Sequence, residues 1–174
     1  MFKLSPQARH ALQIGTLCSV AYLAVYVTRN ILGSVSPQMI EQGIFTEAQI
    51  GTLSSVYFVA YAVGQLINGA IGDKIKSKYM VSLGLIFAGV CNALFFLCAG
   101  NISTSTVTYA LTGFSLAMIY APMTKVVAEN TDPIYAPRCS LGYTFSSFLG
   151  SPCAGLLAAA LMWQGVFLPA APFC

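Results

Sequence analysis

Long apolar runs, broken by short polar connections, set the pattern of this chain along its length. A helix rises 1.5 Å per residue, so crossing a hydrocarbon core about 30 Å thick takes about 20 mainly apolar residues. Runs of that length predict five transmembrane helices, over about 11–39, 50–72, 79–99, 105–128 and 139–162, behind a polar segment at 1–10. The fifth carries Gly150, Pro152 and Gly155, a kink that neighbouring helices tolerate in lipid. A sixth span is expected to open near Trp163. The short stretch that follows contains Pro169 and Pro172, so 168–174 read as an atypical tail and the sixth span as truncated.

Polar residues inside these runs fall on one face. Tyr22, Tyr26, Arg29, Gly33 and Ser36 are three or four apart, as are Tyr57, Tyr61, Gln65, Asn68 and Gly72, the spacing of neighbours on a helix surface. Two such stripes predict a shared aqueous cavity; helix–helix contact through small and polar residues is the competing reading. Arg29 favours the cavity. A charge at the bilayer centre costs about 2.5–3.5 kcal/mol on insertion scales and marks a functional site by default. Gly33-Ser34-Val35-Ser36 does not force the helix to end, which puts Arg29 near mid-membrane. The other placement is snorkelling to the outer interface.

Composition and charge narrow the class. Of 174 residues, 57% are hydrophobic and 7% charged, against about 45–50% and about 25% in soluble domains. Lys3 and Arg9 precede the first span, Lys74, Lys76 and Lys78 lie between the second and third, and Lys125 and Arg138 mark the connection between the fourth and fifth. The alternate connections carry only Glu41 and Glu47. Cytoplasmic loops collect Lys and Arg, so the expectation is an integral, multi-pass protein of the plasma (inner) membrane with a cytoplasmic N-terminus. The net charge of +3 follows from that bias, and no basic patch interleaved with aromatics suggests a nucleic-acid partner. Residues 1–10 are too short and polar for a cleavable signal, so the first span is expected to remain as an anchor. The six cysteines show no C-x-x-C spacing and read as free buried thiols. His10 is the only histidine, so a catalytic triad or histidine metal site would sit at the membrane edge. No enzyme activity, catalytic residue, metal or cofactor is expected.

Gly69-Ala70-Ile71-Gly72-Asp73-Lys74-Ile75-Lys76-Ser77-Lys78 resembles the G-x-x-x-D-[RK]-x-x-x-[RK] signature of the major facilitator superfamily. Trp163-Gln164-Gly165-Val166-Phe167 is similar to its W-R-x-x-F stretch, with Gln164 in place of arginine. The resemblance implies an all-α membrane protein: the N-terminal six-helix half of the major facilitator fold, with five complete helices, a truncated sixth, and the missing C-terminal half expected downstream. It implies alternating access, with Gly69, Asp73, Lys74, Lys78 and, at the next cytoplasmic connection, Arg138 as gating residues.

Within the superfamily, Tyr22-x-x-x-Tyr26-x-x-Arg29, Met39-Ile40-Glu41-Gln42-Gly43, Gly51 and Ala60-Tyr61 resemble the organophosphate:phosphate antiporters, over roughly residues 11–167. That resemblance makes Arg29 the phosphoryl-binding residue, a role suited to the fixed fork of a guanidinium, in a cavity shaped by Tyr22, Tyr26, Tyr61 and Gln65. Ala121-Pro122-Met123-Thr124-Lys125 is similar to the family's P-P-x-G-[KR] and makes Lys125 a substrate-binding candidate. An exposed pair with Glu129, four residues on, accounts for Lys125 equally well. Asn30 and Gln65 stand where lysine is common, and Ser146 and Ser147 where histidine is found, so the cavity is less cationic. The expected function is secondary active transport of a small organic anion, either a phosphate ester exchanged for phosphate or a monoanion. The alternatives are a membrane sensor of sugar phosphate and a non-transporting half-length protein.

Overall fold

The computed structural model describes residues 5–72 and 74–161. Asp73, the Trp163–Phe167 motif and the 168–174 tail lie outside the described residues. Five helices run in order: α1 Pro6–Glu41, α2 Glu47–Gly72, α3 Ser77–Leu97, α4 Ile102–Asn130 and α5 Ala136–Ala160. The described residues are thus all-α, as expected.

Local chemistry sets the ends. Ser5 caps α1 by accepting from the Ala8 amide at 3.2 Å, so the helix starts within the polar 1–10 segment expected to be the cytoplasmic N-terminus. Gly43 closes it at φ 69°, a conformation glycine adopts freely. Thr46 and Gln49 then form a reciprocal capping box: the Thr46 amide donates to Gln49 Oε1 at 2.8 Å, and the Gln49 amide to Thr46 Oγ1 at 3.3 Å. Asn101 accepts from the Ser103 amide at 3.1 Å and starts α4. These caps open α2 and α4 three residues ahead of the predicted 50 and 105. Within α1, Pro37 has no N–H to give the Gly33 carbonyl; Ser36 Oγ donates to it instead at 2.9 Å. The helix therefore continues through Gly33–Ser36, as predicted.

Helices α1 to α4 are each long and apolar enough to cross a membrane. The fifth predicted span corresponds to α5, whose 25 residues reach about 37 Å. Thr144, Ser146, Ser147, Ser151 and Pro152 dilute its apolar character.

Packing follows sense more than sequence order. Cys139 Sγ donates to the Ala11 carbonyl at 3.4 Å near the start of both α1 and α5, and Gln38 Nε2 to the Ala158 carbonyl at 2.7 Å near their ends. These helices therefore lie parallel. The same holds for α2 and α4, where Tyr57 meets Tyr109 at 4.9 Å between ring centroids and Lys125 Nζ reaches the Gly72 carbonyl at 3.5 Å. Helix α3 packs antiparallel on α4, with Phe95 at 5.3 Å from Tyr109 and Gly84 against Ile119. By contrast, α1 and α2 are consecutive yet barely touch. Close approach depends on glycine: a Cβ on Gly150 would lie 2.4 Å from Tyr26 Cβ, and one on Gly113 2.6 Å from the Tyr57 carbonyl oxygen.

Candidate functional site

The gap between α1 and α2 is where Arg29 sits. Its half-buried guanidinium lies 5.2 Å from the ring centroids of Phe58 and Tyr61 and 5.5 Å from that of Tyr26. Each aromatic face attracts the cation by about 0.5–2 kcal/mol without neutralising it. The described carboxylates, Glu41, Glu47, Glu129 and Asp132, all sit at helix ends or in connections. Glu41 is twelve residues from Arg29 along α1, about 18 Å at helical rise. The charge is therefore held by rings and left open to an external anion.

Neighbouring polar side chains serve the rings. Gln65 Nε2 donates to the Tyr61 hydroxyl at 2.8 Å, one turn away, which fixes that ring beside the guanidinium. Removing this neutral bond costs about 0.5–1.5 kcal/mol. Gln65→Ala is accordingly expected to weaken anion binding about 2–10-fold, measured by substrate protection against thermal unfolding. An unchanged affinity would remove Gln65 from the site. Asn30 Nδ2 donates to the Tyr26 carbonyl at 2.8 Å and so braces α1 where a lysine would add charge. Tyr22 is buried, with ring centroids 5.0 Å from Tyr26, 5.8 Å from Tyr120 and 5.6 Å from Tyr143. It ties α1 to α4 and α5 as a wall of the cluster.

The structure thus gathers Tyr22, Tyr26, Arg29, Tyr61 and Gln65 with Tyr57 of the same α2 stripe, and it adds Phe58, Tyr109 and Tyr120. Tyr109, Gly113 and Tyr120 are four and seven apart on α4, close to one helix face, but which helix that face meets is set by the packing of α4 and not by its own spacing. A cavity of about 150 Å³ opens behind the guanidinium, bordered by Asn30, Gly33, Ser54, Tyr57 and Tyr109.

Lys125 is not brought to Arg29. It lies sixteen residues beyond Tyr109 on α4, about 24 Å along the axis, and bonds the Gly72 carbonyl. With Gly69 and Gly72 it lines a cleft of about 420 Å³. With Lys74, Lys78, His10 and Glu129 it lines a second, of about 660 Å³. Lys125 therefore joins residues expected to gate, not those expected to bind. Lys78 Nζ stands 4.9 Å from the Tyr79 ring centroid. Arg138 lies apart from both clefts, 5.8 Å from the Tyr135 ring centroid at the start of α5. Ser146 and Ser147 bond carbonyls of their own helix, those of Gly142 and Thr144. No group of three or more His, Cys, Asp or Glu forms a metal site among the described residues.

The sequence model of the Major Facilitator Superfamily matches residues 18–174. Among curated proteins, the membrane sensor protein UhpC of Salmonella typhimurium is 32% identical over 92 residues, covering 53% of this chain and 20% of that protein. A probable hexose phosphate transport protein of Chlamydia pneumoniae is 27% identical over 92 residues, covering 53% of this chain and 19% of the relative. A second such protein, from Chlamydia trachomatis, is 23% identical over 110 residues, with 63% and 24% covered. The chain thus matches about a fifth to a quarter of the length of these relatives.

Proposed function

This chain belongs to the Major Facilitator Superfamily, and from that premise we propose that it forms part of a secondary active transporter moving a small organic anion by alternating access. The supporting observation is Arg29: a half-buried guanidinium within an apolar helix, cradled by three rings and distant from every described carboxylate. Its forked donors suit the oxygens of a phosphoryl or carboxylate group. Tyr22, Tyr26, Tyr61 and Gln65 shape the space around that group. Relatives named for hexose phosphate transport favour a phosphate ester, exchanged for inorganic phosphate, as the cargo. A second helical half completes the pathway, and the connection carrying Lys74 and Lys76, with the ends of α3 and α4 that bear Lys78 and Lys125, faces the cytoplasm of a plasma membrane.

The test is counterflow: vesicles carrying the full natural protein, loaded with inorganic phosphate, should accumulate labelled hexose phosphate. Absence of uptake with correctly folded protein would sink the reading. In this mechanism Gly69, Asp73, Lys74, Lys78, Lys125 and Arg138 govern the conformational cycle at the cytoplasmic ends. Lys125→Ala removes a charged hydrogen bond between α4 and α2, an interaction worth about 1.5–3 kcal/mol. It is expected to lower the exchange rate about tenfold or more while changing substrate affinity less than about twofold. A change confined to affinity would return Lys125 to the binding site.

A second reading has its own support, since UhpC, a relative, is named a membrane sensor. A sensor on this fold would bind hexose phosphate through Arg29 without flux and pass the signal to a partner. Ligand protection without counterflow selects it.

A further inference from the structure

We propose that Tyr120 reads the organic part of the anion held at Arg29 and sets the preference for a hydroxylated phosphate ester over inorganic phosphate. The inference rests on the binding role given to Arg29 in the transport reading and adds a specificity residue from a third helix. On α4, Gly113 packs against Tyr57 of α2, and Tyr120, two turns on, meets Tyr22 of α1 at 5.8 Å between ring centroids. Tyr120 therefore points into the angle between α1 and α2, the gap in which Arg29 sits. Its hydroxyl is within electrostatic reach of those of Tyr22 and Tyr61, one on each of these helices. Access sets it apart from its neighbours. Tyr120 is 39% exposed, whereas Leu116, Ala117, Ile119 and Met123 around it are 2% exposed or less. Among the described residues its hydroxyl has no hydrogen-bond partner.

Position along the site assigns the role. The guanidinium carbon lies 5.5 Å from the Tyr26 ring centroid, Tyr26 lies 5.0 Å from Tyr22, and Tyr22 lies 5.8 Å from Tyr120. Two rings thus separate Arg29 from Tyr120. Along α1 the displacement from Arg29 to Tyr22 is seven residues, about 10 Å at helical rise. A single phosphate group held by the guanidinium is too short to reach Tyr120; the carbon skeleton of an ester, leaving that group along the row of rings, is not. The opposite side holds the cavity of about 150 Å³ and then the buried rings of Tyr57 and Tyr109, so the open direction runs toward Tyr120. A tyrosine hydroxyl both donates and accepts, as each hydroxyl of a polyol does. A site that bonds a ligand hydroxyl discriminates against the analogue lacking it.

The test is thermal unfolding of the full natural protein in detergent, titrated separately with inorganic phosphate, a hexose phosphate and pentyl phosphate, a monoester with a carbon chain but no hydroxyls on it. Tyr120→Phe removes one oxygen and keeps the ring. In this variant the affinity for hexose phosphate is expected to fall about 2–10-fold, while those for phosphate and pentyl phosphate change less than about twofold. An undiminished affinity for hexose phosphate, or an equal loss for all three ligands, overturns the role of Tyr120 alone. Failure of the underlying reading looks different: a parent protein that none of the three ligands protects sinks the organic-anion site itself, and this inference with it.

Discussion

Arg29→Ala is expected to abolish anion exchange while leaving the protein folded. Truncating one partner of a buried, hydrogen-bonded charge pair costs about 2–5 kcal/mol, so affinity should fall about 30- to 5,000-fold. Loss of function here is separable from loss of fold. The substitution forfeits the guanidinium's attraction to three rings and also removes a charge that is costly in an apolar helix, two opposed effects of similar size, so the variant should melt close to the parent. Arg29→Lys keeps the charge and loses the planar fork and its fit to three ring faces; partial activity is expected. Counterflow and melting measured on the same preparations decide the matter. Undiminished transport by the alanine variant refutes the role assigned to Arg29.

Gly150→Leu is the second large effect, and it acts on the fold. A Cβ at that position would lie 2.4 Å from Tyr26 Cβ and 3.1 Å from the Tyr26 carbonyl carbon. Backbone cannot swing aside as a side-chain tip does, so α5 must separate from α1. Overpacking costs about 1–3 kcal/mol where side chains can yield, and more where they cannot. The yield of monodisperse protein in detergent should collapse for leucine and fall partly for alanine. Gly155 on the same helix meets nothing within 4 Å, so Gly155→Ala should behave as the parent. Equal yields from the Gly150 and Gly155 variants would show that the close crossing is not needed.

Much of the architecture was legible because lipid imposes a single length scale on apolar runs. Each predicted span has its helix, and Arg29 stood out as a charge where charges are costly. Helix ends were less legible, since hydropathy sees the first apolar residue and not the polar turn before it. Thr46-Glu47-Ala48-Gln49 nevertheless carried the capping-box spacing that starts α2. The site was legible in the stripes on α1 and α2, where residues share a helix face. The contributions of Tyr109 and Tyr120 were not, because they depend on α4 lying beside α2 and α1. Lys125 shows the converse: a motif placed it among binding residues, and the length of α4 carries it to the far end.

The parallel partnership of α1 and α5 also has a meaning in time. A chain made from its N-terminus releases α1 first, and α5 follows roughly a hundred residues later. At about 5–20 residues per second, that interval is roughly 5–20 s. Throughout it, the face of Tyr26 that Gly150 will cover has no mate, while α2, α3 and α4 already have one another. The α1–α5 contact is therefore the last of these to form, although the segment bearing Arg29 already has Phe58 and Tyr61 of α2 beside it. Until α5 arrives, the surface of α1 that Gly150 covers is open to lipid or to another apolar helix.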